Sequence, residues 1–220
     1  MVDEYLSEKE QAEQLRHWLR ENWLWLVAGV VLGLGIVYGY RWWNAHQAAR
    51  SEEAEQQFSA LLDAFGRNQR EEGLQIAGKI TGEYSDTPYA DQTQLVLARL
   101  DIEAGELDKA AAALRQVMDS TRDPDLALVA RLRLARVQLA KGSYDDALAT
   151  LEAVDNAAVA ARVAELRGDV MVARGKPAEA LLAYRQAQSA TEEGKGADGL
   201  VDQELLRLKI DELSATTAAE

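Results

Sequence analysis

The feature that most constrains this chain is an apolar stretch near its N-terminus, in which no charged residue occurs from Trp23 to Tyr40. Aromatic residues flank the stretch and extend it toward the roughly 20 residues that a helix needs to cross a bilayer core of about 30 Å. The chain has 5 tryptophans, and all of them lie in or beside this stretch. Such rings collect at the two headgroup levels of a membrane, so we predict a transmembrane helix over residues 23–43 rather than a buried helix of a soluble protein.

Positive charges on either side of this span bear on its orientation. The residues before it include Lys9, Arg16 and Arg20, and those just after it include Arg41 and Arg50. Because lysine and arginine near a span favour the cytoplasmic side, the small excess places the N-terminal tail inside. The acidic start and the long apolar run are untypical of a cleaved signal peptide. We therefore expect an uncleaved signal anchor with an exported C-terminal region.

Four glycines within the predicted span form two pairs with a four-residue spacing: Gly29, Gly33, Gly35 and Gly39. Small residues at this spacing let a second membrane helix approach closely, so we predict that these glycines contact another membrane helix. Glycine is also common in membrane helices generally, which leaves a purely compositional explanation open.

Beyond residue 87 the sequence repeats with a period of roughly 35 residues, a length typical of stacked helix pairs. Each repeat carries a small residue, then a turn glycine, an alanine and a larger apolar residue. The small residues are Ala98, Ala135 and Gly168, the turn glycines Gly105, Gly142 and Gly175, the alanines Ala110, Ala147 and Ala180, and the larger residues Leu114, Leu151 and Tyr184. The pattern matches tetratricopeptide-type repeats, although any helical hairpin array would resemble it in outline.

The prolines support these helix assignments, because Pro88, Pro124 and Pro177 each fall at a predicted helix start, where proline wastes no hydrogen bond. Before the repeats we predict one helix over residues 44–65, ended by Gly66, and a second over about 70–84. After them we predict a polar loop over 188–199 and a final helix over 200–213 that caps the array. The apolar residues that this last helix shows are Leu205, Leu206, Leu208 and Ile210.

The predicted fold is therefore all-α, with a single transmembrane helix followed by a tetratricopeptide-like α-solenoid. We divide the chain into a cytoplasmic tail (1–22), a transmembrane signal anchor (23–43), a periplasmic repeat domain (44–213) and a disordered C-terminus (214–220). Residues 8–21 of the tail fit either a short amphipathic helix or a disordered segment.

The composition argues against several classes of function. A net charge of −13 disfavours nucleic acid as a partner, because phosphate binding requires clustered lysine and arginine. The chain has no cysteine, and its two histidines, His17 and His46, flank the span on opposite sides. Phosphate-loop, zinc-protease and nucleophile-elbow motifs do not occur. We predict a protein that is not an enzyme and that uses no metal or cofactor.

Four arginines of the repeats are candidates for contact with a peptide or partner: Arg99, Arg131, Arg133 and Arg136. Arg99 and Arg136 hold equivalent positions in the first two repeats, where the third has Asp169. Helical repeat arrays bind partners on an extended concave surface, and a guanidinium group suits a carboxylate. A solvated charged face is the alternative interpretation.

The chain as a whole resembles the ancillary subunits of the SecYEG translocon of Gram-negative bacteria. The most specific matches are the juncture GYRWWNAHQ at residues 39–47 and the run LRLARVQ at residues 132–138. The resemblance implies an inner-membrane protein anchored once, with its repeats in the periplasm. It also implies association with the SecYEG translocon, with a membrane-anchored periplasmic chaperone of the prolyl-isomerase class and with exported polypeptides.

The sequence thus predicts a non-enzymatic membrane-anchored adaptor of the translocon that assists newly exported proteins. Two alternatives stay open at this point. One is a regulatory protein that sequesters a signalling factor, and the other is a scaffold that coordinates envelope division.

Overall fold

A computed structural model describes residues 8–192 and 201–217 of the chain. Across these residues it forms nine α-helices, one short 3₁₀ helix and no β-strand, which confirms the all-α prediction. The helices are α1 (Glu8–Gly66), α2 (Arg70–Glu83), α3 (Pro88–Glu103), α4 (Leu107–Ser120), α5 (Pro124–Ala140), α6 (Tyr144–Glu152), α7 (Ala160–Ala173), α8 (Pro177–Glu192) and α9 (Gln203–Thr217), with the 3₁₀ helix at Ala157–Val159.

The chain divides into two compact units, residues 1–53 and 54–220. The described part of the first unit is the N-terminal portion of α1. This helix is continuous from Glu8 to Gly66, so residues 8–21 of the tail are helical rather than disordered and form one element with the predicted membrane span and the first helix of the repeat domain. Residues 1–7 of the tail lie outside the described part of the chain.

The apolar part of α1 is not covered by any other element. Among the described helices, α1 alone is long and apolar enough to cross a membrane, and none of its most apolar window is buried. Large side chains such as Leu24, Ile36 and Tyr38 are each more than half exposed. A core helix of a soluble protein would be covered, so this exposure supports the membrane-span prediction over that alternative.

The repeat glycines end their helices as predicted. Gly105, Gly142 and Gly175 have φ angles of 77°, 74° and 70°, in the left-handed region that glycine adopts at little cost. At the first of these turns the Glu106 N–H donates to the Asp101 carbonyl at 2.8 Å, and the Gly105 N–H donates to the Ile102 carbonyl at 3.0 Å. This hydrogen-bond pattern satisfies the last carbonyls of α3, and it recurs after α5 and α7.

The prolines and small residues also lie where the sequence predicted. Helices α3, α5 and α8 begin at the three prolines. The small residues and the alanines that follow the turns are buried, so the two helices of each pair contact closely. The buried side chains form four successive clusters in the described residues, each shared by neighbouring helices, as expected for a repeat array.

The third repeat differs from the others by two linked changes. A methyl group built on Gly168 would lie 2.3 Å from the ring of Tyr184, which is far inside contact distance. In the first two repeats alanine occupies the position of Gly168, and leucine occupies the position of Tyr184. The larger ring at Tyr184 therefore requires the glycine opposite it.

Helix α1 ends at Gly66 as predicted, whereas the structure corrects the predicted ends of α8 and α9. Gly66 is the last helical residue, and Asn68, with a φ of 60°, takes the left-handed position instead, which asparagine tolerates because its side chain can bond locally. Helix α8 continues to Glu192 rather than ending before residue 188, and the Thr191 hydroxyl donates to the Ala187 carbonyl at 2.9 Å. Residues 193–199, the rest of the predicted loop, and residue 200, the predicted start of the last helix, lie outside the described chain.

Helix α9 also differs from its prediction. It runs to Thr217, beyond the predicted end at residue 213, and residues 218–220 are outside the described part. The Asp202 carboxylate accepts hydrogen bonds from the N–H groups of Glu204 and Leu205, each at 3.0 Å, which caps the start of the helix. Leu206 is buried, whereas Leu205 and Leu208 are 47% and 61% exposed, so only part of the apolar run of α9 packs against the array.

Candidate partner-binding cleft

A cleft of about 330 Å³ lies between α3, α4 and α5. Its floor is apolar, because Leu114 and Val137 are almost fully buried there, while Ile102 is 39% exposed at its edge. The residues that line it are Ala98, Arg99, Ile102, Leu107, Leu114, Arg133, Arg136, Val137 and Ala140. The cleft thus combines an apolar floor with three exposed guanidinium groups.

Three of the four arginines predicted from sequence line this cleft, namely Arg99, Arg133 and Arg136. Arg133 and Arg136 are three residues apart on α5, so they lie on one face of the helix. No carboxylate of the described residues lies within ion-pair distance of either one. On α3, the Arg99 Nε donates to Glu103 Oε1 at 2.8 Å, one turn along the same helix.

The fourth predicted arginine has a different role. The Nη1 atom of Arg131 donates to the Ala153 carbonyl at 2.7 Å, just after the C-terminal end of α6. Basic side chains commonly satisfy the free carbonyls at such helix ends. The structure therefore separates Arg131 from the other three and assigns it to the α5–α6 junction.

In the third repeat the position of Arg99 and Arg136 is taken by Asp169, which joins a charged cluster at the end of the array. Asp169 Oδ1 accepts hydrogen bonds from the Tyr184 hydroxyl and from Lys209 Nζ, each at 2.7 Å. Lys209 on α9 also donates to Glu165 Oε1 at 3.0 Å, and Arg162 pairs with the same carboxylate. These contacts fasten α9 to α7 and α8.

The cluster is partly buried, and the pKa values of two of its groups, Lys209 and Tyr184, are raised. Burial by itself lowers the pKa of Lys209, but the hydrogen bonds to Asp169 and Glu165 outweigh it and raise the pKa. Burial, followed by the bond to Asp169, raises the pKa of the Tyr184 hydroxyl. Sequence reasoning missed this cluster, because α7 carries several charged residues and its sequence does not show that Glu165 is only 3% exposed and therefore requires a partner.

Ion pairs also connect successive turns of the array. Lys141, next to the second turn glycine, pairs with Asp108, and in the following repeat Arg174 Nη1 contacts Asp145 Oδ1 at 2.8 Å. The hydrogen bond from Lys141, followed by its charge, lowers the pKa of Asp108. These equivalent pairs bridge each turn to its neighbour and contribute to the register of the repeats.

The glycines of the span have no protein neighbours in this structure. A methyl group added to Gly29, Gly33, Gly35 or Gly39 would meet nothing within 4 Å. At 3.6 residues per turn the pair Gly29–Gly33 lies roughly 120° around α1 from the pair Gly35–Gly39. The two glycine pairs therefore lie on two distinct faces of α1. That either face contacts another membrane helix stays a prediction.

A second cavity, of about 460 Å³, lies beside α7 and α8 and contains none of the predicted residues. Its charged lining residues are Asp155 and Arg167, which carry opposite charges, so it lacks the single-sign character of the first cleft. Within the described parts of the chain, no group of three or more histidine, aspartate or glutamate side chains is placed to hold a metal ion.

Comparison with known proteins places these features in context. A family model described as a tetratricopeptide repeat-like domain matches residues 16–215. The chain is 34% identical to the ancillary SecYEG translocon subunit of Escherichia coli over 96% of its own length and 98% of that protein. Proteins of the same name from Haemophilus influenzae and Neisseria gonorrhoeae are 29% and 28% identical over 94% and 95% of the chain, and over 98% of each relative.

Similarity to a solved structure supports the fold. The structure described as "MamA RS-1 ArsTM double mutant" aligns with a TM-score of 0.53 and 19% identity, over 76% of this chain and 97% of that one.

Proposed function

Because the chain belongs to the family of ancillary SecYEG translocon subunits, we propose that it is a non-enzymatic adaptor that anchors a helical-repeat binding domain beside the SecYEG translocon of the inner membrane. In this proposal the repeat domain is periplasmic, and it links the translocon to membrane-anchored chaperones of the prolyl-isomerase class and to polypeptides that have just been exported.

The observation that carries this proposal is the continuity of α1. One helix contains the unburied apolar span and, from Ala54 onward, the first helix of the repeat domain. In this proposal α1 both crosses the bilayer and contributes the first helix of the binding array. Binding arrays supply a surface rather than chemistry, and the cleft lined by Arg99, Arg133 and Arg136 carries no histidine, cysteine or carboxylate.

Contact within the membrane is assigned to the glycine faces of α1. The exposed backbone at Gly29 and Gly33, or at Gly35 and Gly39, would allow a translocon helix to approach closely. The two pairs provide matched controls for each other, because leucine at one pair blocks one face and leaves the other unchanged. Two double variants are compared: Gly29→Leu with Gly33→Leu, and Gly35→Leu with Gly39→Leu. We expect the two double variants to weaken translocon association to different extents, because only one of the two faces contacts the translocon.

The proposal is tested by co-isolation from native membranes. The tagged full chain is solubilised in a mild detergent, and SecYEG subunits in the eluate are quantified by mass spectrometry. The control chain carries residues 23–40 replaced by an unrelated apolar span of the same length. We expect the native chain to retain SecYEG and the control to lose most of it.

Two outcomes would contradict the proposal. Equal recovery with the control span would show that the span does not recognise the translocon. Recovery of a transcriptional regulator or of division proteins, without SecYEG, would favour the sequestering or envelope-division alternatives.

A further inference from the structure

We propose that the cleft between α3, α4 and α5 binds a linear acidic segment of a partner polypeptide, in which a carboxylate side chain lies next to an apolar side chain. In this assignment Arg133 and Arg136 bind the carboxylate, and the apolar side chain inserts between Ile102 and Leu107 toward Leu114 and Val137. The inference deepens the proposed function, on which it rests for the idea that the repeats bind protein.

Charge complementarity identifies the occupant. The chain carries a net charge of −13, yet the described residues that line this cleft include three arginines and no carboxylate. Two of the arginines are unpaired within the described chain, so their hydrogen-bonding capacity is available to an incoming group. A guanidinium group binds a carboxylate through parallel hydrogen bonds, and two of them on one helix face can hold one acidic side chain or two neighbouring ones.

The floor and the size of the cleft select a short mixed segment. An isolated anion would need only the arginines and would gain nothing from the apolar surface of Leu107, Leu114 and Val137. A volume of about 330 Å³ is near the lower end of the roughly 300–1,000 Å³ typical of ligand pockets. It therefore accommodates a few side chains of an extended segment rather than a folded surface.

The arginine that follows the small residue occurs only in the first and second repeats and not in the third. There, Asp169 replaces the arginine and is engaged by Tyr184 and Lys209. An acidic segment lying along the array would meet a carboxylate at that position. The proposed binding site is therefore confined to one cleft. Substitution of its two unpaired arginines should be enough to remove binding.

The test measures binding of a fluorescein-labelled peptide that alternates glutamate and leucine to the full chain in lipid nanodiscs, by fluorescence anisotropy. Matched peptides replace glutamate with glutamine, or leucine with serine. The cleft variant is Arg133→Gln with Arg136→Gln. The control variant, Arg185→Gln with Arg207→Gln, makes the same charge change at exposed arginines of α8 and α9.

We expect the cleft variant to weaken binding of the acidic peptide about tenfold or more, a change equivalent to about 1.4 kcal/mol, and the control variant to leave it within about twofold. Both altered peptides should bind more weakly to the native chain, and added salt should weaken binding further because the arginines are exposed.

Equal binding by the cleft and control variants would overturn the assignment of the site. Equal binding of the glutamine peptide would overturn the charge argument, and competition by inorganic phosphate at the same concentration as peptide would indicate a simple anion site. The co-isolation of SecYEG is scored on the same cleft variant. If the cleft variant retains SecYEG but no longer binds the peptide, the inference and the adaptor proposal both stand. If the native chain binds the peptide but does not retain SecYEG, only the adaptor proposal is contradicted.

Discussion

At the scale of single residues, the third repeat gives a direct test of packing, because it has Gly168 and Tyr184 where the first two repeats have alanine and leucine. Gly168→Ala is expected to destabilise the repeat domain by about 1–3 kcal/mol, the usual cost of overpacking, because the new methyl group meets the ring of Tyr184. In a Tyr184→Leu background the same substitution should cost less than about 0.5 kcal/mol, since contacting residues couple. Urea unfolding of the chain in detergent, followed by circular dichroism, measures both values, and an equal cost in the two backgrounds would refute this explanation.

The arginines of α5 provide a second matched pair. Arg131→Ala should lower the free energy of unfolding by about 0.5–1.5 kcal/mol, because it removes the hydrogen bond to the Ala153 carbonyl. Arg133→Ala should change stability little and should instead reduce binding of the acidic peptide. Denaturation and anisotropy measurements on the two variants check this division, and a reversal of the two effects would show that the roles are wrongly assigned.

The charged cluster around Lys209 predicts a dependence of stability on pH. The folded-state pKa values of Lys209 and Tyr184 are raised, so both groups contribute stability that is fully present below their unfolded values of about 10–10.4. This contribution is lost as the pH rises above those values toward the folded ones. The free energy of unfolding should therefore fall as the pH rises above about 10, and it should fall less in a Lys209→Met, Tyr184→Phe variant.

A control at neutral pH separates this effect from general alkaline unfolding. Lys209→Met alone should cost on the order of 2–3 kcal/mol at pH 7, because it leaves Glu165 buried with only Arg162 beside it. We expect this loss of unfolding free energy to be smaller than for a fully buried ion pair, because the Lys209 side chain is 24% exposed. A variant as stable as the native chain at pH 7 would show that the cluster does not fasten α9.

At the scale of helices, the sequence predicted boundaries well wherever glycine or proline determines the backbone. Pro88 and Gly105 enclose α3 because one fixes φ at the helix start and the other accepts the left-handed turn. Asn68 was missed because asparagine takes that conformation less often than the neighbouring Gly66. The ends of α8 and α9 were missed because polar residues such as Thr191 continue a helix when packing and local hydrogen bonds favour it.

The candidate cleft was only partly predictable for a related reason. Repeat alignment identified Arg99 and Arg136 as equivalent positions, and the cleft joins them with Arg133. The alignment could not reveal that Arg131 bonds to Ala153, since that contact links α5 to the residue that follows α6. The Lys209 cluster likewise depends on how α9 docks, which local sequence patterns do not specify.

At the scale of the whole molecule, the exported position that we propose for the repeats rests on a small excess of positive charge before the span, and it is open to direct test. The chain has no cysteine, so a single cysteine introduced as Arg122→Cys reports its own location without background. In spheroplasts a membrane-impermeant maleimide should label this residue, whereas Glu13→Cys in the tail should react only after the membrane is permeabilised. Labelling of Glu13→Cys alone in intact spheroplasts would reverse the proposed topology.

The most direct test of the adaptor is site-specific photocrosslinking of the full chain in native membranes. One probe replaces Val30, which is exposed in the span, and the other replaces Ala140, which lines the cleft without removing an arginine. The adaptor proposal predicts SecYEG subunits at Val30 and a chaperone or exported polypeptides at Ala140. Crosslinks to cytoplasmic regulators or division proteins at Ala140, with no SecYEG at Val30, would contradict it.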